Sequence, residues 1–173
     1  MPNTHPHLLV VDDDELNQDV LRRTLELESH KVLVAGDGEE AWALLQDPAT
    51  PPIQAILLDR MMPRLDGMGL LQRLQGHPRL RRIPVILQTA DPNPSLIAES
   101  IREGAFYHLT KPFQRDVLYT VVEAAVRERH QLEEVHQRLE AGTRAASLLS
   151  QAEFRFRTPE EGRALATLLS QTC

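Results

Sequence analysis

The sequence predicts an α/β domain with a five-stranded parallel sheet covered by helices on both faces, followed by a long C-terminal helix. Three observations lead to this fold class. Five short apolar runs alternate with stretches of helical periodicity along residues 1–127. The runs are continuously apolar, which is typical of strands buried on both faces of a parallel sheet. Helical periodicity then continues past the fifth unit, over about residues 116–150.

Each predicted strand ends at a turn or a helix-capping signal. The strands are predicted at His7–Val11, Lys31–Ala35, Ile53–Leu58, Pro84–Thr89 and Ala105–Leu109. Helices are predicted between them at about Glu15–Glu28, Glu39–Leu45, Met68–Leu74 and Ser95–Arg102. Apolar residues form a stripe on the first helix, namely Leu16, Val20, Leu21, Leu25 and Leu27. Ligands of such sheets bind beyond the C-terminal ends of the strands, so a site is expected there.

Composition limits the classes of protein to consider. The chain of 173 residues is long enough for one well-cored domain and a smaller element, and its 42% hydrophobic and 25% charged residues are ordinary for a globular protein. A net charge of −6, without a basic cluster, argues against a nucleic-acid-binding surface. The single cysteine, Cys173, excludes a disulfide framework and favours a reducing compartment. Because neither a membrane-spanning run nor a signal peptide is recognisable, we expect a cytoplasmic protein without membrane partners.

Polar residues suited to chemistry stand at the ends of the predicted strands. They are Asp12 and Asp13 after the first strand, Asp59 after the third, Thr89 and Ala90 at the fourth, and Lys111 after the fifth. If the strand order is 2-1-3-4-5, the first and third strands are neighbours and the three aspartates converge. Ala90 is small, as access to Asp59 requires.

Three carboxylates in one pocket repel one another and need a cation to stay ionised. Mg²⁺ suits a shallow, oxygen-lined site that retains waters, with Asp13 and Asp59 as ligands and Asp12 partly bound through water. Lys111 adds a positive charge and the Thr89 hydroxyl adds a neutral donor. This combination predicts a phosphoryl-transfer site in which Asp59 attacks phosphorus and becomes an acyl phosphate.

Four segments, "LLVVDDDELN", "LLDRMMPRLDG", "VILQTA" and "LTKPF", resemble the receiver domain of bacterial two-component response regulators. The resemblance covers about Met1–Arg127, with the four segments in order. It implies a flavodoxin-like, doubly wound sheet of order 2-1-3-4-5. It also implies that Asp59 is the phosphoacceptor and that Asp12 and Asp13 hold Mg²⁺, or Mn²⁺ in its place, with the backbone carbonyl of Met61 as a further ligand.

The same resemblance assigns roles to the last two strand ends. Thr89 and Lys111 would be the switch threonine and the phosphate-binding lysine, and the peptide bond before Pro112 would be cis. The partner would be a sensor histidine kinase or a histidine phosphotransfer protein. Catalysis would be limited to the domain's own phosphorylation and dephosphorylation.

One departure from the family pattern concerns His108. The family usually carries Tyr or Phe at this position, an aromatic residue that swings inward when the switch threonine moves. His108 could do the same, but it is smaller, polar and titratable near neutral pH. An inward ring favours the neutral form, so we expect activation to weaken as the pH falls. Alternatively, His108 stays outside and belongs to a partner-binding face.

Other interpretations remain open at this stage. Asp12–Asp14 alone could be a helix N-cap with an acidic first turn. The domain could be a phosphorelay intermediate that passes its phosphoryl group to a histidine phosphotransfer protein. An aspartate-nucleophile phosphatase would also use acidic strand ends, but it usually carries a second aspartate where Met61 stands.

The C-terminal helical pattern is too long for the last helix of a receiver domain. Apolar residues recur at 3-4 spacing, at Leu118, Val121, Ala125, Leu132, Val135, Leu139, Ala146 and Leu149, with interruptions at Glu128 and Gly142. This pattern favours a parallel coiled-coil homodimer, and the alternative is a lone charged helix.

Residues 151–173 change character again. The segment "AEFRFRT" predicts a strand, and the residues from Thr158 onward predict a capped helix with Pro159 in its first turn and Glu161 completing a capping box. One strand and one helix cannot form a core, so we expect the start of a truncated second domain. The segment resembles the opening of anti-sigma-type serine kinase ATPase domains of the histidine-kinase superfamily.

Overall fold

The computed structural model describes residues 5–153, and side chains as far as residue 147. Five parallel strands form one sheet in the order β2-β1-β3-β4-β5, which confirms the predicted topology. The strands are β1 (His7–Val11), β2 (Lys31–Ala35), β3 (Ile53–Asp59), β4 (Val85–Thr89) and β5 (Tyr107–Thr110). The helices are α1 (Glu15–Glu26), α2 (Gly38–Gln46), α3 (Gly67–Gln75), α4 (Pro94–Arg102) and α5 (Arg115–Glu153), with a 3-10 turn at Leu80–Arg82.

The sheet is buried on both faces, as its continuous apolar strands require. Successive side chains of a strand point to opposite faces. On one face, Leu9, Ile56 and Leu87 pack with leucines of α3. On the other face, the alternate strand residues pack with Leu21 and Leu25 of α1 and with the first turns of α5. Asp59 ends β3, the central strand of the sheet, and its position at the sheet edge is therefore fixed by the strands on either side.

The four helices that follow β1 to β4 begin at side-chain caps. Asp14, Asp37, Asp66 and Asn93 each accept a hydrogen bond from a backbone N–H in the first turn of α1, α2, α3 and α4. Such caps satisfy N–H groups that have no partner inside the helix. Each connection is thereby fixed at the edge where the strands end.

The predicted apolar stripe on α1 is only partly buried. Leu21 and Leu25 lie in the core, whereas Leu16 is 72% exposed, Val20 55% and Leu27 69%. The reason is geometric: α1 rests on the sheet along the line of Leu21 and Leu25. Leu27 stands at the C-cap, after the last helical residue.

The long helix α5 is present and extends to Glu153, close to its predicted bounds. The chain divides into a compact unit that ends at Gln131 and a second unit that begins at Leu132. In the first unit, α5 packs on the sheet through Leu118, Val122 and Ala125. In the second unit, the described part is helical and its apolar residues at Leu132, Val135 and Leu139 are exposed.

The predicted strand at residues 152–158 is helical at its first two positions, Ala152 and Glu153. The rest of that strand and the predicted helix after it lie outside the described residues. Across residues 5–153, no helix is both long enough and apolar enough to cross a membrane.

Candidate functional site

Three of the predicted residues meet at the C-terminal edge of the sheet. The Lys111 ammonium donates hydrogen bonds to Asp12 Oδ2 at 2.9 Å and to Asp59 Oδ1 at 2.6 Å. Sheet register explains the meeting, because Val11 of β1 pairs with Leu58 of β3 and each aspartate follows directly. Residues about a hundred positions apart in sequence thus form one charged cluster.

Local hydrogen bonds hold both carboxylates in place. Asp59 Oδ2 accepts from the backbone N–H of Met61 at 2.9 Å, and Asp12 Oδ1 accepts from the backbone N–H of Asp14 at 3.0 Å. Both side chains are nearly buried, at 3% exposed for Asp12 and 12% for Asp59. Each carboxylate therefore accepts a hydrogen bond from a backbone N–H with one oxygen and from Lys111 with the other.

Burial and the contacts between Lys111 and the carboxylates have opposite effects on the pKa values of Asp59 and Lys111. Burial raises the pKa of Asp59 above its usual value, although the hydrogen bond and charge of Lys111 oppose the shift. Burial alone would lower the pKa of Lys111, but its hydrogen bonds to Asp59 and Asp12 outweigh that effect and raise it. The lysine therefore stays cationic beside a carboxylate of increased basicity.

The acidic run after β1 divides into three different environments. Asp12 is buried against Lys111, Asp13 is exposed, and Asp14 caps α1 by accepting from the N–H of Leu16 at 2.8 Å. Among residues 5–153, no group of three or more His, Cys, Asp and Glu side chains is placed to hold a metal ion. Lys111 thus bridges two members of the predicted three-carboxylate site, Asp12 and Asp59, and the third, Asp13, is exposed.

The last two strands place the remaining predicted residues at the same edge. Thr89 ends β4 and is 3% exposed, and its hydroxyl accepts from the N–H of Asp91 at 3.2 Å. Ala90 follows and is exposed. The backbone N–H of Lys111 donates to the carbonyl of Thr89 at 2.7 Å, and the peptide bond between Lys111 and Pro112 is cis.

His108 lies half-buried on β5, with its ring against α4. Its Nδ1 is 3.2 Å from the hydroxyl of Ser100, a residue that is fully buried. That hydroxyl already donates its hydrogen to the carbonyl of Ile97 at 2.8 Å, so Nδ1 must be the donor to it. Nε2 is buried and has no hydrogen-bond partner among the described residues. Burial, and then the nearby Arg60 charge, lower the pKa of His108 and favour the neutral ring.

This environment predicts that the protein loses stability on acidification. The pKa of His108 is lower in the folded chain than its unfolded value of about 6.5, so the unfolded state binds more protons as the pH falls. The free energy of unfolding should therefore decrease from about pH 6.5 downward, until the folded ring is itself protonated. Replacing the ring by His108→Gln should reduce that decrease, as measured by thermal unfolding from pH 8 to pH 5.

The difference in the free energy of unfolding between wild type and His108→Gln cancels the pH dependence that other titratable groups contribute. His7 also has a lowered pKa, caused by burial and by Lys31, so some decrease should remain in His108→Gln. Above pH 7 the stability difference between the two proteins should be constant. Parallel curves down to pH 5 would contradict the assignment of a neutral, buried ring.

Several residues around the site are absent from the sequence-based prediction. Arg60 follows Asp59, lies 3.4 Å from Glu99 of α4, and lowers the pKa of His108. A fully buried carboxylate, Asp37, pairs with Arg64 of the loop after β3. Arg60 could have been found from its place beside Asp59, but nothing in the sequence points to Ser100 or to the Asp37–Arg64 pair.

A second feature absent from the sequence-based prediction is the close approach of Gly67 to the strand that ends at Asp59. A Cβ atom on Gly67 would lie 2.3 Å from the carbonyl oxygen of Asp59 and 2.9 Å from Cα of Arg60. The N–H of Gly67 also donates to the carbonyl of Arg60 at 3.0 Å. The start of α3 therefore sits directly on the backbone that carries Asp59, which no side chain would allow.

The fold and the lysine-bridged carboxylates together define a class, the doubly wound α/β signal receiver domains. A solved receiver domain of this class, that of the Francisella response regulator 1452, matches with a TM-score of 0.65 and 32% identity, over 71% of this chain and 98% of that one. The family model described as "Response regulator receiver domain" matches residues 8–123. The chain belongs to the response regulator receiver domain family.

Curated relatives differ in how much of their length this chain covers. "Response regulator PleD" of Caulobacter vibrioides is 36% identical over 137 residues, which is 79% of this chain and 30% of PleD. "Two-component response regulator ORR3" of Oryza sativa subsp. indica is 31% identical over 112 residues, which is 65% of this chain and 84% of ORR3. The chain thus spans less than a third of PleD but most of ORR3.

Proposed function

We propose that this chain is a phosphorylation-dependent switch. Asp59 accepts a phosphoryl group from a phosphohistidine on a sensor histidine kinase or a histidine phosphotransfer protein. The phosphorylated domain then signals through α5. The observation that carries this proposal is the Lys111 ammonium, placed 2.6 Å from a carboxylate oxygen of Asp59.

The chemistry follows from what each residue can supply. An oxygen of Asp59 forms a bond to phosphorus as the P–N bond of the donor breaks, and the electron pair returns to the donor imidazole, which takes up a proton. Lys111 can move from the carboxylate to the phosphoryl oxygens while keeping its positive charge. The Thr89 hydroxyl can add a neutral hydrogen bond if it leaves Asp91. Ala90 leaves the approach to Asp59 unobstructed.

The donor set at this edge fits a divalent ion. Asp12, Asp13, Asp59 and the Met61 carbonyl all offer hard oxygen atoms, and Mg²⁺ is commonly bound by one or two carboxylates with several retained waters. A ready-made cluster of three carboxylates is therefore not required. When bound, Mg²⁺, or Mn²⁺ in its place, supplies charge neutralisation for the phosphoryl oxygens.

The direct test is phosphoryl uptake from a small phosphodonor, followed by intact mass. We expect the chain to gain one phosphoryl group with Mg²⁺ and none with a chelator in excess. Asp13→Ala should weaken Mg²⁺ binding by about tenfold or more, because it removes one of the carboxylates proposed to hold the ion. The matched control is Asp19→Ala, which changes a carboxylate of α1 that already pairs with Arg22. Uptake that is independent of Mg²⁺, or equal Mg²⁺ binding in both variants, would contradict the proposal.

We also propose that α5 carries the output by pairing two copies of this chain in parallel. Leu132, Val135 and Leu139 follow the 3-4 spacing of a coiled-coil seam, and they are 42%, 55% and 65% exposed. Gly142 stands at the next seam position and interrupts the apolar pattern, and a Cβ atom there would meet nothing within 4 Å. A second copy is the favoured occupant because a parallel pair sets each apolar residue against its own equivalent.

The seam predicts how charge should affect assembly. Leu132→Glu combined with Leu139→Glu places like charges in the interface and should weaken dimerisation by about 100-fold or more. The matched control is His130→Glu combined with Gln137→Glu, with the same seven-residue spacing on a different face of the helix. Sedimentation across a concentration series measures both. A wild type that is monomeric at high micromolar concentration, with and without phosphorylation, would rule out the pairing.

A further inference from the structure

A cleft lies at the edge of the sheet opposite to Asp59. Its volume is about 390 Å³, within the range of small-molecule pockets. Its apolar wall includes Leu45, Ile53, Leu80 and Ile83, and two guanidinium groups line it, those of Arg79 and Arg129. Ile53 begins β3 and Asp59 ends it, so the cleft and the phosphoacceptor are separated by about 20 Å of strand.

Positive charge is concentrated beside this cleft, although the sequence suggested no basic cluster. Arg79, Arg81 and Arg82 stand together at the 3-10 turn before β4. Among the side chains described up to residue 147, none of these three forms an ion pair or a side-chain hydrogen bond. Arg73, only six residues before Arg79, pairs with Glu39 at 2.8 Å. The turn is therefore a local excess of positive charge in a chain of net charge −6.

We infer that the cleft binds a small amphipathic anion. The apolar body of the ligand packs against the leucine and isoleucine wall, and its carboxylate, phosphate or sulfonate group contacts the Arg79 guanidinium. Arg129 adds positive charge to the lining. Asp47 also lines the cleft, and one of its carboxylate oxygens accepts from the N–H of Ala49 at 2.8 Å. Its negative charge repels an anionic group, so the anionic group of the ligand should lie on the side of the cleft formed by the arginines.

A concave site of this size favours a small molecule over an acidic peptide. A guanidinium group pairs well with planar anions, because its donors match two acceptor oxygens at once. Burial of the apolar body provides affinity, and the charged contact sets the orientation. The ligand class is therefore an anion with an aromatic or short aliphatic body.

A matched pair of fluorescent probes tests the inference on the whole chain. Anilinonaphthalene sulfonate carries the required anion, and phenylnaphthylamine has the same rings without the charge. We expect saturable binding of the sulfonate, weakened about tenfold in Arg79→Gln because a charge-assisted contact is lost. Arg81→Gln, which removes an equally unpaired arginine outside the lining, should leave the affinity unchanged. The uncharged probe should bind more weakly to wild type and should not distinguish the two variants.

Methyl NMR identifies where the probe binds. We expect shifts at Leu80 and Ile83 in wild type that are reduced in Arg79→Gln. Thermal unfolding of each variant checks that the fold is intact. We expect it to be intact because both arginines are exposed. Absence of saturable binding, equal losses in the two arginine variants, or shifts confined to Leu132 and Leu139 would each overturn the inference.

Discussion

Asp59→Asn is expected to abolish phosphoryl uptake by this chain. The substitution keeps the shape of the side chain but removes the anionic nucleophile, and the amide has one acceptor oxygen in place of two. An amide does not attack phosphorus at a useful rate, so the loss should be complete within the detection of intact mass spectrometry. The variant should remain folded, because the amide oxygen can still accept one of the two hydrogen bonds, from Met61 or from Lys111, and Lys111 keeps its contact with Asp12.

Asp66→Asn is the matched control for this experiment. Asp66 lies seven residues further on and caps α3 by accepting from the N–H of Gly69 at 2.8 Å. Asparagine caps helices about as well as aspartate, so both fold and uptake should be retained. Uptake by Asp59→Asn at the wild-type rate would mean that another residue is the phosphoacceptor. Loss of uptake in Asp66→Asn would mean that the assay reports folding rather than chemistry.

Gly67→Ala should strongly lower the free energy of unfolding of the domain, although it adds only one methyl group. The new methyl would stand 2.3 Å from the carbonyl oxygen of Asp59, and backbone atoms cannot move aside as a flexible side chain can. We expect a loss of about 3 kcal/mol in the free energy of unfolding, or about 6–12 °C in the thermal midpoint. Phosphoryl uptake should slow as well, because Asp59 is displaced with its backbone.

Gly142→Ala provides the opposite case in the same chain. Position 142 lies inside α5 with open space around the missing methyl group. Alanine is favoured over glycine in a helix interior, so stability should rise by up to about 1 kcal/mol. Thermal unfolding of both variants by circular dichroism separates the two effects. An unchanged midpoint in Gly67→Ala would show that α3 can shift without cost.

The sequence predicts the sheet well because strand burial leaves a local signal. The apolar runs located all five strands, and the resemblance to receiver domains implied their order, although the polar end of β3 extends one residue further than predicted, to Asp59. The burial of α1 could not be predicted from its periodicity. Leu16, Val20 and Leu27 share the pattern of Leu21 and Leu25, but only tertiary contact decides which part of a stripe touches the sheet.

The site was predictable to the extent that it is built from strand ends. Asp12, Asp59 and Lys111 meet because parallel strands end at one edge, which the alternation of elements already implies. The separation of Asp13 from that cluster depends on the turn into α1, where Asp14 serves as the cap. The contact between His108 and Ser100 joins two elements whose side chains carry no shared sequence signal, so only the structure could reveal it.

The four capped helices also shape the electric field at the sheet edge that carries Asp59. A parallel sheet of this kind directs helix N-termini, each with about half a positive charge, toward the edge where the strands end. Three of the caps are carboxylates, and their negative charge offsets much of that field close to each helix. Lys111 therefore supplies positive charge at this edge, but it is held between the carboxylates of Asp12 and Asp59, which offset it. Under the proposed function, attraction of an anionic phosphoryl donor would then depend on the divalent ion as well as on this ammonium group.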